Sequence, residues 1–344
     1  MSTTLNQVEP YVPSQEAAEL HANSIVIDGS AVIIESDAHF ERVDPGGVTA
    51  TNHTVTIPGV GLTEALRQIN SFRRWLDENP DRIRLCTSTK DIHDAKASGR
   101  EAAILGPQDS LFLGTDLSLV GTFWDLGLRV LQLTYQKRNW VGDGCGETNP
   151  AGLSGFGRSL VKELNAFGIL IDLSHCSKPT TLDAIEHSDQ PVVLTHAHPN
   201  AVTPHIRAKD DETLKAIATT GGVVGVTALS SFNKMAFGVR PGLVEFVRHV
   251  HYLIDLLGVD HVGIGLDFDE TNTPEKHARD IARNPELEPV KEFEWDDRRV
   301  RDLSRGAHFP NVTGALLDSG LDSGDVQKIL GLNFLRVFDQ VWRA

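Results

Sequence analysis

Short apolar runs recur along the chain, and each of them ends at polar residues. The runs are unbroken rather than alternating, which is typical of strands in a parallel sheet that is covered on both faces. A weaker run over 54–57 is followed directly by Pro58 and Gly59. The clear runs cover 24–28, 102–106, 129–134, 168–173, 191–195, 222–227 and 261–267. The pattern therefore predicts eight buried strands.

Segments with a helical period lie between these runs. Over 62–79, apolar residues recur at Leu66, Ile69, Phe72 and Leu76, which places them on one face of a helix. The segments 156–167 and 244–257 show the same spacing. Strands that alternate with helices along an undivided chain predict the α/β class and a (β/α)8 TIM barrel.

A doubly wound open sheet is the alternative architecture. It requires a glycine fingerprint for phosphate after an early strand. The glycine clusters at 142–146 and 152–157 match neither that fingerprint nor the P-loop pattern, and we interpret them as loops. The barrel is therefore the favoured fold.

The chain shows no tandem repeat and no linker that would separate two domains. We predict an N-terminal arm over 1–20 and one barrel domain over 21–344. A segment near 275–305 is rich in charges of both signs and follows the last predicted strand. It is either a lid over the site or a solvated surface excursion.

The amino-acid composition and net charge disfavour some classes of binding partner for this protein. The 344 residues include 32 Lys and Arg against 47 Asp and Glu, a net charge of −15, which disfavours nucleic acid and anionic membranes. No apolar run approaches the roughly 20 residues of a membrane span, and residues 1–13 lack the pattern of a secretory signal. Cys86, Cys145 and Cys176 are too widely spaced for a disulfide framework or a metal knuckle. We therefore expect a cytoplasmic, reducing location.

The residues at the strand ends carry the predicted chemistry, because barrel enzymes place their functional groups there. Two histidines end consecutive strands and an aspartate ends the last one, and both side-chain types are natural zinc ligands. Three protein ligands with one open position would let zinc, or manganese, activate water. The alternative is that each histidine is a satisfied core residue. The strand-end residues are Asp28, Ser30, Gln108, Tyr135, His175, His196 and Asp267.

Several motifs in consistent order resemble the renal (membrane) dipeptidase family of metallopeptidases, within the amidohydrolase-type barrels. The similarity runs from about residue 102 to residue 338. The motifs are WDLGLRVLQLT (124–134), GLSGFGR (152–158), IDLSH (171–175), VLTH (193–196), RAKDD (207–211), GGVVG (221–225), VGIGLDFD (262–269) and ILGLNFLRVF (329–338). The resemblance implies a metal-dependent hydrolase barrel.

The chain departs from the family at the metal ligands. The family completes a two-zinc site with a His-x-Asp pair after the first strand and a bridging Glu after the third. Ser30 and Val32 occupy the first two positions here, and Gln108 stands at or next to the third. Valine cannot bind a metal and a neutral amide bridges two dications poorly. The resemblance therefore implies one metal, on His175 and His196, with Asp267 either as third ligand or as the base for water.

Substrate contacts carry over in part. Arg207 matches the family arginine that binds the substrate carboxylate; the alternative is a surface arginine paired with Asp210 or Asp211. Tyr135 replaces a substrate-contacting histidine and, with Gln108, is predicted to orient the scissile carbonyl. The loop 138–145, which carries Trp140, is predicted to wall the substrate pocket.

Five further residues are candidates to replace the lost ligands or to contact substrate. Glu35, Asp37 and His39 follow the first strand, and His53 comes shortly after them. His198 forms a His-x-His pair with His196.

Three functions remain open. The first is a dipeptidase-like hydrolase that cleaves an amide bond in a small, carboxylate-bearing substrate. The second is a non-peptidase enzyme on the same barrel, a decarboxylase or a lactonase-like hydrolase. The third is a catalytically silent relative that binds a small molecule or a protein. The family also suggests a homodimer.

Overall fold

The computed structural model describes residues 9–32, 35–270, 272–283, 285 and 292–343. The strands of this part of the chain form two five-stranded sheets, in which all neighbouring strands pair in parallel. The sheet orders are β10-β1-β2-β4-β3 and β5-β6-β7-β8-β9. The strands are β1 (Ile27–Val32), β2 (Ala50–Thr54), β3 (Ile83–Cys86), β4 (Glu101–Leu105), β5 (Val130–Gln132), β6 (Leu170–Asp172), β7 (Val192–Ala197), β8 (Val224–Val226), β9 (Val262–Ile264) and β10 (Phe268–Asp269).

The two sheets meet along two seams. At one seam the backbone N–H of Arg129 donates to the carbonyl of Leu105, 3.2 Å away. At the other, the N–H of Asp267 donates to the carbonyl of Ser30 at 2.8 Å. The strands of both sheets therefore surround a common interior, and their carboxyl ends lie at one side of it.

Helices connect the strands, as a parallel sheet requires. Their starts are set by local side chains: Ser88 and Asp91 form a capping box, and Ser154 and Asp210 accept backbone N–H groups of the first turn. The helices are α1 (Gln15–Asn23), α2 (Asp37–Val43), α3 (Leu62–Glu78), α4 (Thr89–Ser98), α5 (Leu119–Asp125), α6 (Gly155–Phe167), α7 (Lys178–His187), α8 (Asp211–Thr219), α9 (Ser230–Asn233), α10 (Leu243–Leu257), α11 (Pro274–Arg283), α12 (Phe309–Asp318), α13 (Ser323–Gln327) and α14 (Asn333–Val341).

The C-terminal helix covers the amino ends of the strands. Phe334 and Phe338 of α14 are buried in one cluster with strand-initial residues such as Ile27 and Val130. Trp342 stacks on Phe338 with ring centroids 4.2 Å apart. A larger core fills the space between the sheets and the surrounding helices. Because apolar packing fills the amino ends, the carboxyl ends remain for a polar site.

Two glycines, Gly225 in β8 and Gly265 directly after β9, allow the backbone to pack unusually close in the interior. A Cβ atom built on Gly225 would lie 2.0 Å from the carbonyl oxygen of Thr195, and one on Gly265 would lie 1.9 Å from the same oxygen. Such distances leave no room for any side chain, so glycine is required at both positions.

The predicted α/β fold with parallel strands is confirmed, with three differences in the strands. One is the short strand β10 (Phe268–Asp269), which was not predicted. The second strand is β2 (Ala50–Thr54), about four residues before the weak run over 54–57. The strand β3 (Ile83–Cys86) was not predicted, because its apolar run is interrupted by the exposed Arg84. The three predicted helices coincide with α3, α6 and α10 to within one residue at each end.

The predicted arm is described from residue 9 onward, and its residues 1–8 lie outside the described part. Its helix α1 packs on α12, where His21 Nδ1 lies 2.7 Å from Thr313 Oγ1. In the charged insertion, residues 284 and 286–291 also lie outside the described part. Among the described helices, none is long and apolar enough to cross a membrane.

Candidate active site

A cavity of about 910 Å³ opens at the carboxyl ends of the strands. Side chains at or just after the ends of six strands line it, which is the usual arrangement for a barrel site. They are Val32, Thr54, Gln108, Tyr135, His175 and Asp267. Arg207 lines the same cavity. The structure thus brings five of the predicted site residues together around one space.

Two imidazoles face each other at the base of this cavity, where His175 lines the cavity and His196 lies behind it, fully buried. His175 follows β6 and His196 belongs to β7, and their Nε2 atoms are 2.8 Å apart. His175 is 3% exposed and His196 is fully buried. Burial and the nearby Arg207 hold the pKa of both side chains well below 6.5, so both are neutral at pH 7.

Hydrogen bonds on the far side of His196 set its tautomer. The Thr195 hydroxyl donates to Asp172 Oδ2 at 2.7 Å, so it accepts from His196 Nδ1, 2.8 Å away. The Nε2 atom of His196 therefore presents a lone pair toward His175. The Nδ1 atom of His175 is buried and has no hydrogen-bond partner among the described residues.

Ser30, Gln108 and Asp267 form a hydrogen-bonded triad next to this pair. The Gln108 amide donates to Ser30 Oγ at 3.0 Å and to Asp267 Oδ1 at 3.3 Å, and the Ser30 hydroxyl donates to the same carboxylate oxygen at 3.3 Å. Neutral donors therefore satisfy the carboxylate. In this chain a hydroxyl and an amide contact Asp267 where, by the resemblance, metal ligands are expected.

Asp267 has a raised side-chain pKa and a left-handed backbone conformation. Burial raises its pKa to about 6, although Arg207 and the bonds from Gln108 and Ser30 act in the opposite direction. Its backbone is left-handed, with φ of +57°. Aspartate tolerates this region better than most residues, but the conformation still costs free energy.

Arg207 and Lys209 fix the loop that carries His175. The Arg207 guanidinium donates to the carbonyl of Ser174, and Lys209 Nζ donates to the carbonyls of Leu173 and Cys176 at 3.1 and 2.6 Å. Both side chains are buried, and burial lowers the pKa of Lys209 to about 8. Arg207 is therefore a cavity residue rather than a surface arginine.

The carboxylates that offered the alternative partner for Arg207 are engaged elsewhere. Asp210 caps α8 and lies 2.6 Å from Lys178 Nζ. Asp211 accepts a hydrogen bond from Tyr252 at 2.8 Å.

The two predicted aromatic contacts lie in different environments. The Tyr135 ring stacks on His175, with centroids 4.2 Å apart, and burial raises the pKa of its hydroxyl, which remains a proton donor. Trp140 is 58% exposed and is not among the described residues that line the cavity.

His39 and His53 lie on the outer side of the strands, not at the cavity. His39 Nε2 is 2.8 Å from one Glu101 carboxylate oxygen, and His53 Nε2 is 2.9 Å from the other. All three are buried, and Phe72 and Trp75 of α3 cover the two imidazoles. The strands contributing His53 and Glu101, β2 and β4, are neighbours. This cluster was not predicted, because Glu101 stands at the start of a strand rather than at its end.

Burial acts against charge in this cluster, but the partners outweigh it. Burial would raise the pKa of Glu101, yet the two imidazoles hold it well below its usual range. Burial would lower the pKa of His39, yet Glu101 raises it, whereas the pKa of His53 stays below 6.5 because burial dominates there. The cluster is therefore an ion pair of Glu101 and His39, with His53 as a neutral donor.

The remaining candidate ligands do not join the histidine pair. Glu35 lines the cavity rim and accepts a bond from Ser71 at 2.7 Å. Asp37 begins α2. His198 is buried and stacks on Phe232. The three cysteines are free, as predicted.

The imidazole nitrogens of His175 and His196 are groups at the cavity that could hold a divalent ion. Their Nε2 atoms lie 2.8 Å apart, and the bond between His196 Nδ1 and the Thr195 hydroxyl orients the His196 ring. Around Ser30 and Gln108, hydrogen bonds already satisfy the carboxylate. Among the described residues, the group with three metal-ligating side chains all within 4.8 Å is His39, His53 and Glu101, not His175, His196 and Asp267.

Comparison with known proteins identifies the family. The family model described as membrane dipeptidase, peptidase family M19, matches residues 15–307. The chain belongs to the membrane dipeptidase family. The resemblance to this family, inferred above from the motifs, is thereby confirmed, and membership in a metallopeptidase family implies a metal cofactor.

Two curated relatives carry dipeptidase names. Dipeptidase tcpJ of Claviceps purpurea is 27% identical over 282 residues, and dipeptidase verJ of Clonostachys rogersoniana is 28% identical over the same length. Each match covers 81% of this chain but only 60% and 66% of the two relatives. This family member therefore spans less than two thirds of their length.

A solved structure matches nearly the whole chain. It is an amidohydrolase from Pseudomonas aeruginosa, 34% identical, with a TM-score of 0.86 over 95% of this chain and 99% of that one. The membrane dipeptidase family member described here thus shares this architecture over nearly its whole length.

Proposed function

We propose that this family member cleaves an amide bond in a small substrate with a carboxylate, such as a dipeptide, and binds one divalent ion, zinc or manganese. The observation that carries the proposal is the pair of neutral imidazoles whose Nε2 atoms converge at the cavity floor, 2.8 Å apart. A fully closed core would not leave such a pair facing a cavity.

His175 and His196 would hold the ion, which when bound would polarise the scissile carbonyl and lower the pKa of water. Asp267 accepts a proton from water or supplies a third ligand. A pKa near 6 suits a base that works at neutral pH, because the carboxylate is mostly ionised yet still basic.

The other side chains bind and orient the substrate. Arg207 receives the substrate carboxylate, since a guanidinium forms paired charge-assisted hydrogen bonds with it. Tyr135 remains protonated and donates to the carbonyl oxygen, and Gln108 fixes the opposite side of the reacting group. The loop 138–145 forms the outer wall of the substrate path through Arg138 and Asn139, which line the cavity.

Metal content measured by elemental analysis tests the proposal. We expect about one ion per chain, a number that follows from one ligand pair with open positions. His175→Ala and His196→Ala should each lose it, while His93→Ala, on the exposed face of α4, should retain it. Reconstituted protein should then hydrolyse members of a dipeptide panel.

Two ions per chain would contradict the one-metal proposal. Cleavage of lactones or release of CO2 without amide cleavage would replace the peptidase function by the non-peptidase alternative.

A catalytically silent binding protein is the second candidate. It is favoured by the bonds from Ser30 and Gln108 to Asp267, and by two buried cationic groups, Arg207 and Lys209, which disfavour a dication nearby. Protein without metal after reconstitution, and without turnover, would establish this candidate instead.

We also propose a homodimer that acts in the cytoplasm on a small molecule. Light scattering after size exclusion, which would give twice the chain mass of 37.6 kDa, tests the dimer. Cell fractionation tests the location.

A further inference from the structure

The cavity differs in charge from the molecule that contains it. Among the residues that the structure describes, seven Lys and Arg side chains and four Asp and Glu side chains line it, whereas the whole chain has 32 against 47. From this reversal we infer that the cavity binds a substrate with two separate anionic groups, one at Arg207 and one at the cap formed by α11 and residues 292–299. This inference rests on the proposed function and specifies its substrate as a small dicarboxylate amide.

The floor offers one anion position. Arg207 is 2% exposed, lines the cavity and acts electrostatically on both His175 and Asp267. A carboxylate bound there lies beside the reacting centre. The bond from Arg207 to the Ser174 carbonyl fixes the guanidinium in advance, so little side-chain entropy is lost on binding.

The cap offers the second position. Lys276 and Arg279 are three residues apart on α11, which places both on one side of the helix, and both line the cavity. Arg298 lines the same wall and stacks on Trp295, with its guanidinium carbon 3.7 Å from the ring centroid. These cations belong to the insertion, not to the barrel strands.

Among the described lining residues, acidic side chains offset one cation of this cap, Lys276, and leave Arg279 exposed. Asp109 accepts bonds from the Gly59 N–H and the Asn139 amide, both at 2.9 Å, and so serves the loops at the rim. Asp269 lies 2.5 Å from Lys276 and offsets that one cation. Arg279 is exposed at the mouth, where a ligand carboxylate can reach it.

Calorimetric titration with glutarate and butyrate at constant ionic strength tests the inference without requiring turnover. The two probes are similar in length and differ by one carboxylate. Glutarate should bind about tenfold more tightly, since one charge-assisted hydrogen bond contributes roughly 1.5 kcal/mol. The difference should shrink as NaCl is added, because the cap is solvent-accessible.

Arg279→Gln locates the second carboxylate. It should weaken glutarate binding by about 1.5-fold to fivefold, the range for an ion pair near the surface, and should leave butyrate binding unchanged. Arg84→Gln removes an exposed arginine on β3 that is outside the cavity lining and should change neither. Equal affinities for the two probes, or an Arg279→Gln variant that behaves like Arg84→Gln, would overturn the inference.

Hydrolysis of Ala-Glu against Ala-Gln extends the test to catalysis. The two dipeptides have nearly the same shape, so a kcat/KM ratio of about ten or more in favour of Ala-Glu reports the extra charge. Arg279→Gln should reduce this ratio. If no dipeptide is cleaved, the proposed function fails while the glutarate result still decides the inference, so the two failures are distinguishable.

Discussion

Two buried groups of histidine and carboxylate lie within this molecule, and they are built in opposite ways. At the outer face of the strands, Glu101 bonds directly to His39 and His53, and the group balances its own charge. In the cavity, the histidines contact each other, and Asp267 contacts a hydroxyl and an amide. The same residue types therefore form an ion pair at the outer face of the strands, whereas in the cavity the imidazoles have no carboxylate partner among the described residues.

This difference changes the pKa values of the two carboxylates, Glu101 and Asp267, in opposite directions. Glu101 and Asp267 are both buried, yet the pKa of Glu101 falls well below its usual range and that of Asp267 rises to about 6. Two imidazoles stabilise the first carboxylate, whereas neutral donors only partly offset the burial of the second. Burial alone does not identify a carboxylate with a raised pKa, because the groups that contact the carboxylate determine the direction of the shift.

The largest expected effect is the loss of the Glu101 carboxylate. Glu101→Gln should lower the free energy of unfolding by about 3 kcal/mol, since it leaves the buried His39 imidazolium without its counter-charge. Urea unfolding at pH 7 measures this. Glu64→Gln, which removes an exposed partner of Arg67, should change stability by less than about 0.5 kcal/mol. Equal effects in the two variants would show that the Glu101 carboxylate stabilises the fold no more than an exposed ion pair does.

Asp267→Asn should raise the free energy of unfolding, whereas Glu101→Gln lowers it. The folded-state pKa of about 6 lies above the unfolded value of 3.8, so ionisation weakens the folded state as pH rises through this interval. The variant should therefore gain about 1–3 kcal/mol relative to the native chain at pH 8, and nothing at pH 3, in protein treated with a chelator. A stability loss at pH 8 would show that the carboxylate is paired with a cation in solution.

The smallest expected effects concern the pH dependence of stability, which should differ between His39 and His53, the two imidazoles that contact Glu101. The pKa of His39 is raised, so its contribution to stability is complete below pH 6.5 and is lost as pH rises through the folded-state pKa. The pKa of His53 is lowered, so its contribution is present above pH 6.5 and is lost as pH falls. Thermal unfolding from pH 5 to 9 should flatten on the alkaline side in His39→Gln and on the acid side in His53→Gln. Identical profiles would contradict the assignment of charge to His39.

The apolar runs predicted the sheet because each strand of a covered parallel sheet buries both faces. The pattern failed at β2, whose sequence ATNHT is polar although every residue is buried. There the Asn52 amide donates to the Gly29 carbonyl and His53 meets Glu101, so hydrogen bonds replace apolar contact. Hydropathy does not detect such a strand.

The site was predictable only as far as strand ends determine it. His175 and His196 end neighbouring strands, so their approach follows from the topology. The bonds that link Ser30 and Gln108 to Asp267 join residues 78 to 237 positions apart and depend on the curvature of the sheets. The cluster of His39 and Glu101 was missed for a related reason, since α2 delivers His39 to a strand that begins 62 residues later.

The close approach of Gly225 and Gly265 to the Thr195 carbonyl bears on how mutational tolerance will be interpreted. Any substitution there, even to alanine, would push two strands apart immediately below the histidine pair, because Thr195 directly precedes His196. A saturation scan would then rank both glycines with the catalytic groups, although neither has a side chain to react. Essential positions in this molecule thus include sites of pure steric exclusion, and a selection experiment that reads only survival would count them as chemistry.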